Sequence, residues 1–185
     1  MHNPRILTLL ADYLRVYPEE HETITRLENF IRNHDDCFRR ELTIGHITCS
    51  AWLLDASLRR ALLTHHRKLN IWLQPGGHAD GESNVIAVAM REAREESGLA
   101  EIEVVSPALF DVDIHVIPER KGEAQHLHYD CRFLLRSAGD DQYTISEESH
   151  DLAWVPLGEI ARYTVEESIM RMVRKTEQLF GRHNR

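Results

Sequence analysis

Apolar residues recur at helical spacing from the start of the chain: Ile6, Leu9, Leu10, Tyr13 and Leu14 form one stripe. Pro18 interrupts it, and Ile24, Leu27, Phe30 and Ile31 then repeat it, so two helices are expected across about Pro4 to Arg40. From His46 the period shortens. His46–Asp55 and Ala61–His65 are rich in β-branched, aromatic and aliphatic residues around a short polar turn, which predicts a hairpin, with Ile71–Leu73 as a third strand. Pro75-Gly76-Gly77 opens a polar loop, and a helix is expected from about Ser83 to Ser97, with Gly98 suited to a left-handed cap. Strands near Glu101–Val105, Phe110–Ile117, His126–Leu135 and Trp154–Leu157 follow, and a closing helix from Val165 to Phe180. This order predicts an α+β protein, divided into a helical extension over residues 1–40 and a main domain over 41–185. The apolar faces of the first two helices suggest that they cover the main domain or pair two copies as a homodimer.

Composition narrows the class. With 42% hydrophobic and 28% charged residues among 185, the chain reads as an ordinary globular protein. No apolar run approaches the roughly 20 residues of a membrane span, and no secretory signal pattern opens the chain, so a cytoplasmic location is expected. Three cysteines at unrelated spacings speak against a disulfide framework or a cysteine-based zinc site. The formal net charge of −8 argues against bulk nucleic-acid binding. A small phosphorylated ligand stays compatible with it, because a bound divalent cation can supply the missing positive charge.

The densest chemistry lies in Gly76-Gly77-His78-Ala79-Asp80-Gly81-Glu82 and, after eight residues, Arg91-Glu92-Ala93-Arg94-Glu95-Glu96-Ser97-Gly98-Leu99. Glu92, Glu95 and Glu96 are three and four positions apart, which puts all three carboxylates on one helix face. Glu95 and Glu96 also sit at the negative end of the helix dipole, where a bound cation would offset an otherwise unfavourable arrangement. A bare run of this kind also reads as a solvated face with Arg91 and Arg94 as counter-charges; the Gly-Gly loop before it and Gly98-Leu99 after it favour the site.

These residues resemble the Nudix box, G-x5-E-x7-R-E-U-x-E-E-x-G-U, in which U is a bulky aliphatic. Gly77, Arg91, Glu92, Glu95, Glu96, Gly98 and Leu99 fall on its fixed positions. The pattern departs at its first glutamate: Ser83 stands there, Glu82 is one residue early, and Asp80 is a nearby substitute. The resemblance implies an α/β/α sandwich with a mixed sheet over roughly His46 to Phe180. It also implies Mg²⁺ or Mn²⁺ held by Glu92, Glu95, Glu96 and the Gly76 carbonyl, with Arg91 orienting the glutamates. The implied reaction is attack of a metal-activated water on the phosphoanhydride of a small nucleoside diphosphate derivative. Glu95, Glu96, or Glu147 and Glu148 on a later loop, would serve as base.

A second cluster falls outside the box. Asp111, Asp113 and His115 alternate on one strand, and His126, His128 and Asp130 on the next, so a hairpin around Pro118–Gly122 would gather all six on one face. They read as a metal site, as groups that hold substrate oxygens together with His78, or as the wet face of a half-exposed sheet. Three alternatives to the hydrolase follow from the same residues. One is an isopentenyl diphosphate isomerase-like enzyme, which resembles the framework but would carry a cysteine where Gly76 stands. Another is a silent Nudix-like ligand sensor. The last is a metalloprotein built on the His/Asp cluster.

Overall fold

A computed structural model describes residues 4–67, 69–120, 122, 124–146 and 149–181. The chain runs through α1 (Pro4–Val16), α2 (His21–Asn33), β1 (Gly45–Leu54), β2 (Arg60–His66), β3 (Ile71–Leu73), β4 (Gly76–His78), α3 (Val85–Ser97), β5 (Ile102–Val104), β6 (Asp111–Ile117), β7 (His126–Ser137), β8 (Ser149–Pro156) and α4 (Glu167–Phe180). Hydrogen bonding orders the strands β3-β2-β1-β7-β5, with β4 on β1, β6 on β7 and β8 on β2. The expected α+β class with flanking helices is what the chain adopts. No helix among the described residues is long and apolar enough to cross a membrane.

Two elements depart from the pattern-based reading. Gly76–His78 was expected as loop and is a strand, because Ala51 donates to the Pro75 carbonyl and Ala79 to that of Ile47. Strand β8 begins five residues before Trp154: its polar start is held by pairing, His65 opposite Asp151 and Leu63 opposite Ala153, without an apolar pattern to announce it.

Contacts divide the chain into two units. The first comprises Met1–Ser50, Gly77–Ala89 and Ser106–Phe133. In it the stripes of α1 (Ile6, Leu10, Tyr13) and α2 (Ile24, Leu27, Phe30, Ile31) are buried, so the faces that suggested a homodimer are covered within the chain itself. Phe30 stacks on Tyr129 of β7 with ring centroids 4.0 Å apart and planes 9° from parallel. Strands β6 and β7 are antiparallel, pairing Asp111 with Arg132, Asp113 with Asp130 and His115 with His128. Strand β1 runs beside β7 in the parallel sense: Leu127 donates to the Ile44 carbonyl, and further along both chains Thr48 and Ser50 reach Asp130. The sheet is therefore mixed. Gly45 permits this approach, since a Cβ there would stand 2.6 Å from the Leu127 carbonyl oxygen.

The second unit comprises Ala51–Gly76, Met90–Val105 and Leu134–Arg185. Its core contains Trp52, Leu53, Leu54, Leu62 and Leu63 from the first two strands and Ile169, Met172 and Val173 from α4. Burying Trp52 would strand its indole N–H, and Thr176 accepts that proton at 2.8 Å. The β1–β2 turn is organised by Asp55, whose carboxylate accepts from the backbone of Arg59 (2.8 Å) and Arg60 (3.0 Å), the Ser57 hydroxyl (2.7 Å) and the Arg60 guanidinium (3.0 Å). Burial alone pushes this carboxyl up, but the donors together hold it below the usual carboxylate range. A depressed native pKa gives stability that is present above the unfolded value of about 3.9 and is lost as pH falls through the native one. Asp55→Asn removes that dependence, so the stability gap between wild type and variant, measured by urea unfolding, is expected to narrow as the buffer is taken from pH 7 to below pH 4. A gap of constant size would show that the turn does not use the charge.

Candidate functional site

The acidic face read from the sequence occupies the second half of α3. Arg91 donates to the Glu92 carboxylate at 2.6 Å, and its Nε lies 4.0 Å from Glu95. Glu96 is 6% exposed, and its Oε1 accepts the Gly76 N–H at 2.7 Å. The glycine pair and the helix are thus joined through a backbone donor, where the sequence had assigned Gly76 a role through its carbonyl. Glu95 points outward, with its side chain 63% exposed. One guanidinium faces two of three carboxylates, and the donors are oxygens throughout, the set that a hard divalent cation such as Mg²⁺ or Mn²⁺ prefers.

The helix ends where the acidic face requires it to. The Ser97 hydroxyl turns back to the Ala93 carbonyl, and Gly98 takes φ +67° while donating to the Arg94 carbonyl at 2.9 Å. Any Cβ at Gly98 would lie 2.9 Å from the Cβ of Thr144, whose own N–H donates to the Ser97 carbonyl. Gly98 therefore serves a left-handed backbone and a close approach at once.

The residues offered for the box's displaced first glutamate are engaged elsewhere. Asp80, at φ +50°, receives both arms of the Arg40 guanidinium at 2.6 Å. Glu82 accepts the Asn84 N–H at 2.7 Å, which stops the chain from turning helical until Val85, two residues later than Ser83. Glu147 and Glu148 lie outside the described residues.

The second cluster assembles as the alternation predicts, on one face of the β6–β7 hairpin in the first unit. Its carboxylates, however, face inward. Arg132, which the sequence reading passed over, is 2% exposed and donates to Asp130 at 2.7 Å and to Asp111 at 3.2 Å, with Asp113 at 3.4 Å. Thr48 and Ser50 of β1 add hydroxyl donors to Asp130 at 3.0 and 2.9 Å. Asp111 and Asp130, at 0% and 2% exposure, accordingly sit in a buried ion-pair network with Arg132. Asp113 also faces His115, with Oδ2 and Nδ1 3.0 Å apart.

The histidines behave differently. His46, which the sequence reading also passed over, starts β1 and points to the same side as Thr48 and Ser50; the polar residues at 46, 48 and 50 alternating with Ile47, Cys49 and Ala51 were the available signal. Its ring lies 5.0 Å from that of His78, 4.8 Å from His128 and 5.0 Å from His126, centroid to centroid. Burial, and then the neighbouring rings, push His128 down to about 2. Burial, then Arg40 and His46, bring His78 to about 4. His46 is lowered by burial and then by His126. Burial thus disfavours the charged form of all three imidazoles.

Comparisons with known proteins bear on the whole arrangement. The family model described as the NUDIX domain matches residues 46–175. The fold is similar to that of a C. elegans Ap4A hydrolase solved as a binary complex: TM-score 0.59, 16% identity, covering 73% of this chain and 97% of the other. It is also similar to RenU, a Nudix hydrolase of M. Smegmatis (TM-score 0.55, 18% identity, 75% of this chain and 88% of the other). The E. coli dihydroneopterin triphosphate pyrophosphohydrolase gives TM-score 0.52 at 15% identity, over 71% of this chain and 92% of that one. At these identities the likeness is one of fold. No protein with a curated description matches the chain in sequence.

Proposed function

This chain belongs to the Nudix family of hydrolases acting on acid anhydrides, and from that premise we propose that it cleaves the phosphoanhydride of a small nucleoside diphosphate derivative with Mg²⁺ or Mn²⁺. The observation that carries the proposal is Glu96 on the Gly76 amide, next to Glu92 and Glu95 on the same helical face. Glu92, Glu95 and Glu96 would hold the metal, with Gly76 fixing the orientation of Glu96. A bound divalent ion supplies electrophilic stabilisation of the diphosphate and lowers the pKa of an attacking water. Arg91 stands between Glu92 and Glu95 as their common counter-charge. Glu95, the exposed carboxylate of the set, would take up a proton from water.

A small substrate is favoured over a nucleic-acid chain by the net charge of −8, which would repel an extended phosphate backbone. The cytoplasm is the compartment that fits three buried, unbridged thiols at Cys37, Cys49 and Cys131. The proposal is tested by product release from a panel of dinucleoside polyphosphates, nucleotide sugars, ADP-ribose and nucleoside triphosphates. Turnover of at least one class is expected with Mg²⁺ or Mn²⁺ and none with a chelator present; activity indifferent to the chelator, or none on any member, would refute it.

A further inference from the structure

His46, His78 and His128 come from three separated stretches of sequence, yet their ring nitrogens converge. One nitrogen from each lies within 4.8 Å of the other two. Both ring nitrogens of His46, a residue 3% exposed, are buried without a hydrogen-bond partner among the described residues, and so is Nε2 of His128. Buried polar atoms are nearly always satisfied, and nitrogens left bare in the same small space point to a shared partner. Water can bridge such atoms, but three imidazole nitrogens converging on one point form the donor set of a transition metal.

We propose that His46, His78 and His128 form a binding site for a divalent transition-metal ion of the zinc class, built without any residue of the Nudix box helix. Imidazole nitrogen favours Zn²⁺ and its first-row neighbours over Mg²⁺, which prefers oxygen. Three histidines leave a fourth position for water or for a ligand oxygen, the pattern of an open rather than a closed zinc site. Nitrogens around a tetrahedral zinc stand roughly 3.3 Å apart, given Zn–N distances of about 2.0–2.1 Å. The flanking rings have supports of their own: His126 Nδ1 is 2.9 Å from the Ala124 carbonyl, and His115 Nδ1 is held against Asp113. Their ring centroids lie 5.2 Å (His126) and 5.4 Å (His115) from that of His128.

The experiment uses the full chain, stripped with chelator and titrated with Zn²⁺ in excess Mg²⁺. One Zn²⁺ per chain is expected to bind despite the Mg²⁺ and to be retained in Glu96→Gln. His78→Ala and His128→Ala are each expected to weaken it by about 100-fold or more, since even outer-sphere partners of a metal are worth 10- to 100-fold. X-ray absorption of the Zn²⁺-loaded wild type keeps the question decidable if a histidine variant fails to fold. Three imidazole nitrogens in the first shell support the site. An all-oxygen shell overturns it, as does Zn²⁺ uptake lost in Glu96→Gln but unchanged in the histidine variants, or no uptake beyond what Mg²⁺ displaces.

Discussion

Glu96→Gln is expected to lower kcat on the substrate found by the panel by about 10²- to 10⁴-fold, the range seen when a group that handles protons or charge at a reacting centre is removed. The change is near-isosteric. The glutamine carbonyl can keep the Gly76 N–H, but its amide then presents donors where the carboxylate presented an acceptor. Because Glu96 is buried, little solvent is available to mask that reversal. Steady-state rates with Mg²⁺ or Mn²⁺, beside thermal melting to establish that the variant is folded, measure the effect. A folded variant within threefold of wild type would remove Glu96 from the reaction.

The largest effect on stability is expected from Arg132→Met. It leaves Asp111 and Asp130 buried with their shared cation gone, and breaking one side of a buried pair costs about 3–5 kcal/mol. The same substitution combined with Asp111→Asn and Asp130→Asn should recover part of the loss, because neutral amides replace the stranded charges. Denaturant unfolding of the single and triple variants decides it. If Arg132→Met lost no more than a surface arginine would, Thr48 and Ser50 alone would suffice for Asp130.

Much of this was legible beforehand because it depends on local period. The stripes of α1 and α2, the limits of β3 and the three-and-four spacing of the glutamates are written in neighbouring residues, and the structure keeps them. The alternation of Asp111, Asp113 and His115 with His126, His128 and Asp130 also gave the shared face correctly. What it could not give was which way the charges look. That depends on Arg132 lying opposite Asp111, a matter of register, and on β1 lying alongside with Thr48 and Ser50, which no spacing within β6 or β7 encodes. His46 was missed for the same reason: one histidine at a strand start acquires meaning only when another strand brings His128 beside it. The polar start of β8 and the glycine strand β4 were missed because pairing, not composition, makes them strands.

The stacking of Phe30 on Tyr129 has a consequence for where this protein can be said to begin. The family match starts at residue 46 and leaves both opening helices outside it. Folding draws its border elsewhere. Tyr129 lies inside the matched segment and Phe30 outside it, and each is the other's cover against water. A chain trimmed to the matched segment would keep every box residue and still bare the aromatic face of Tyr129.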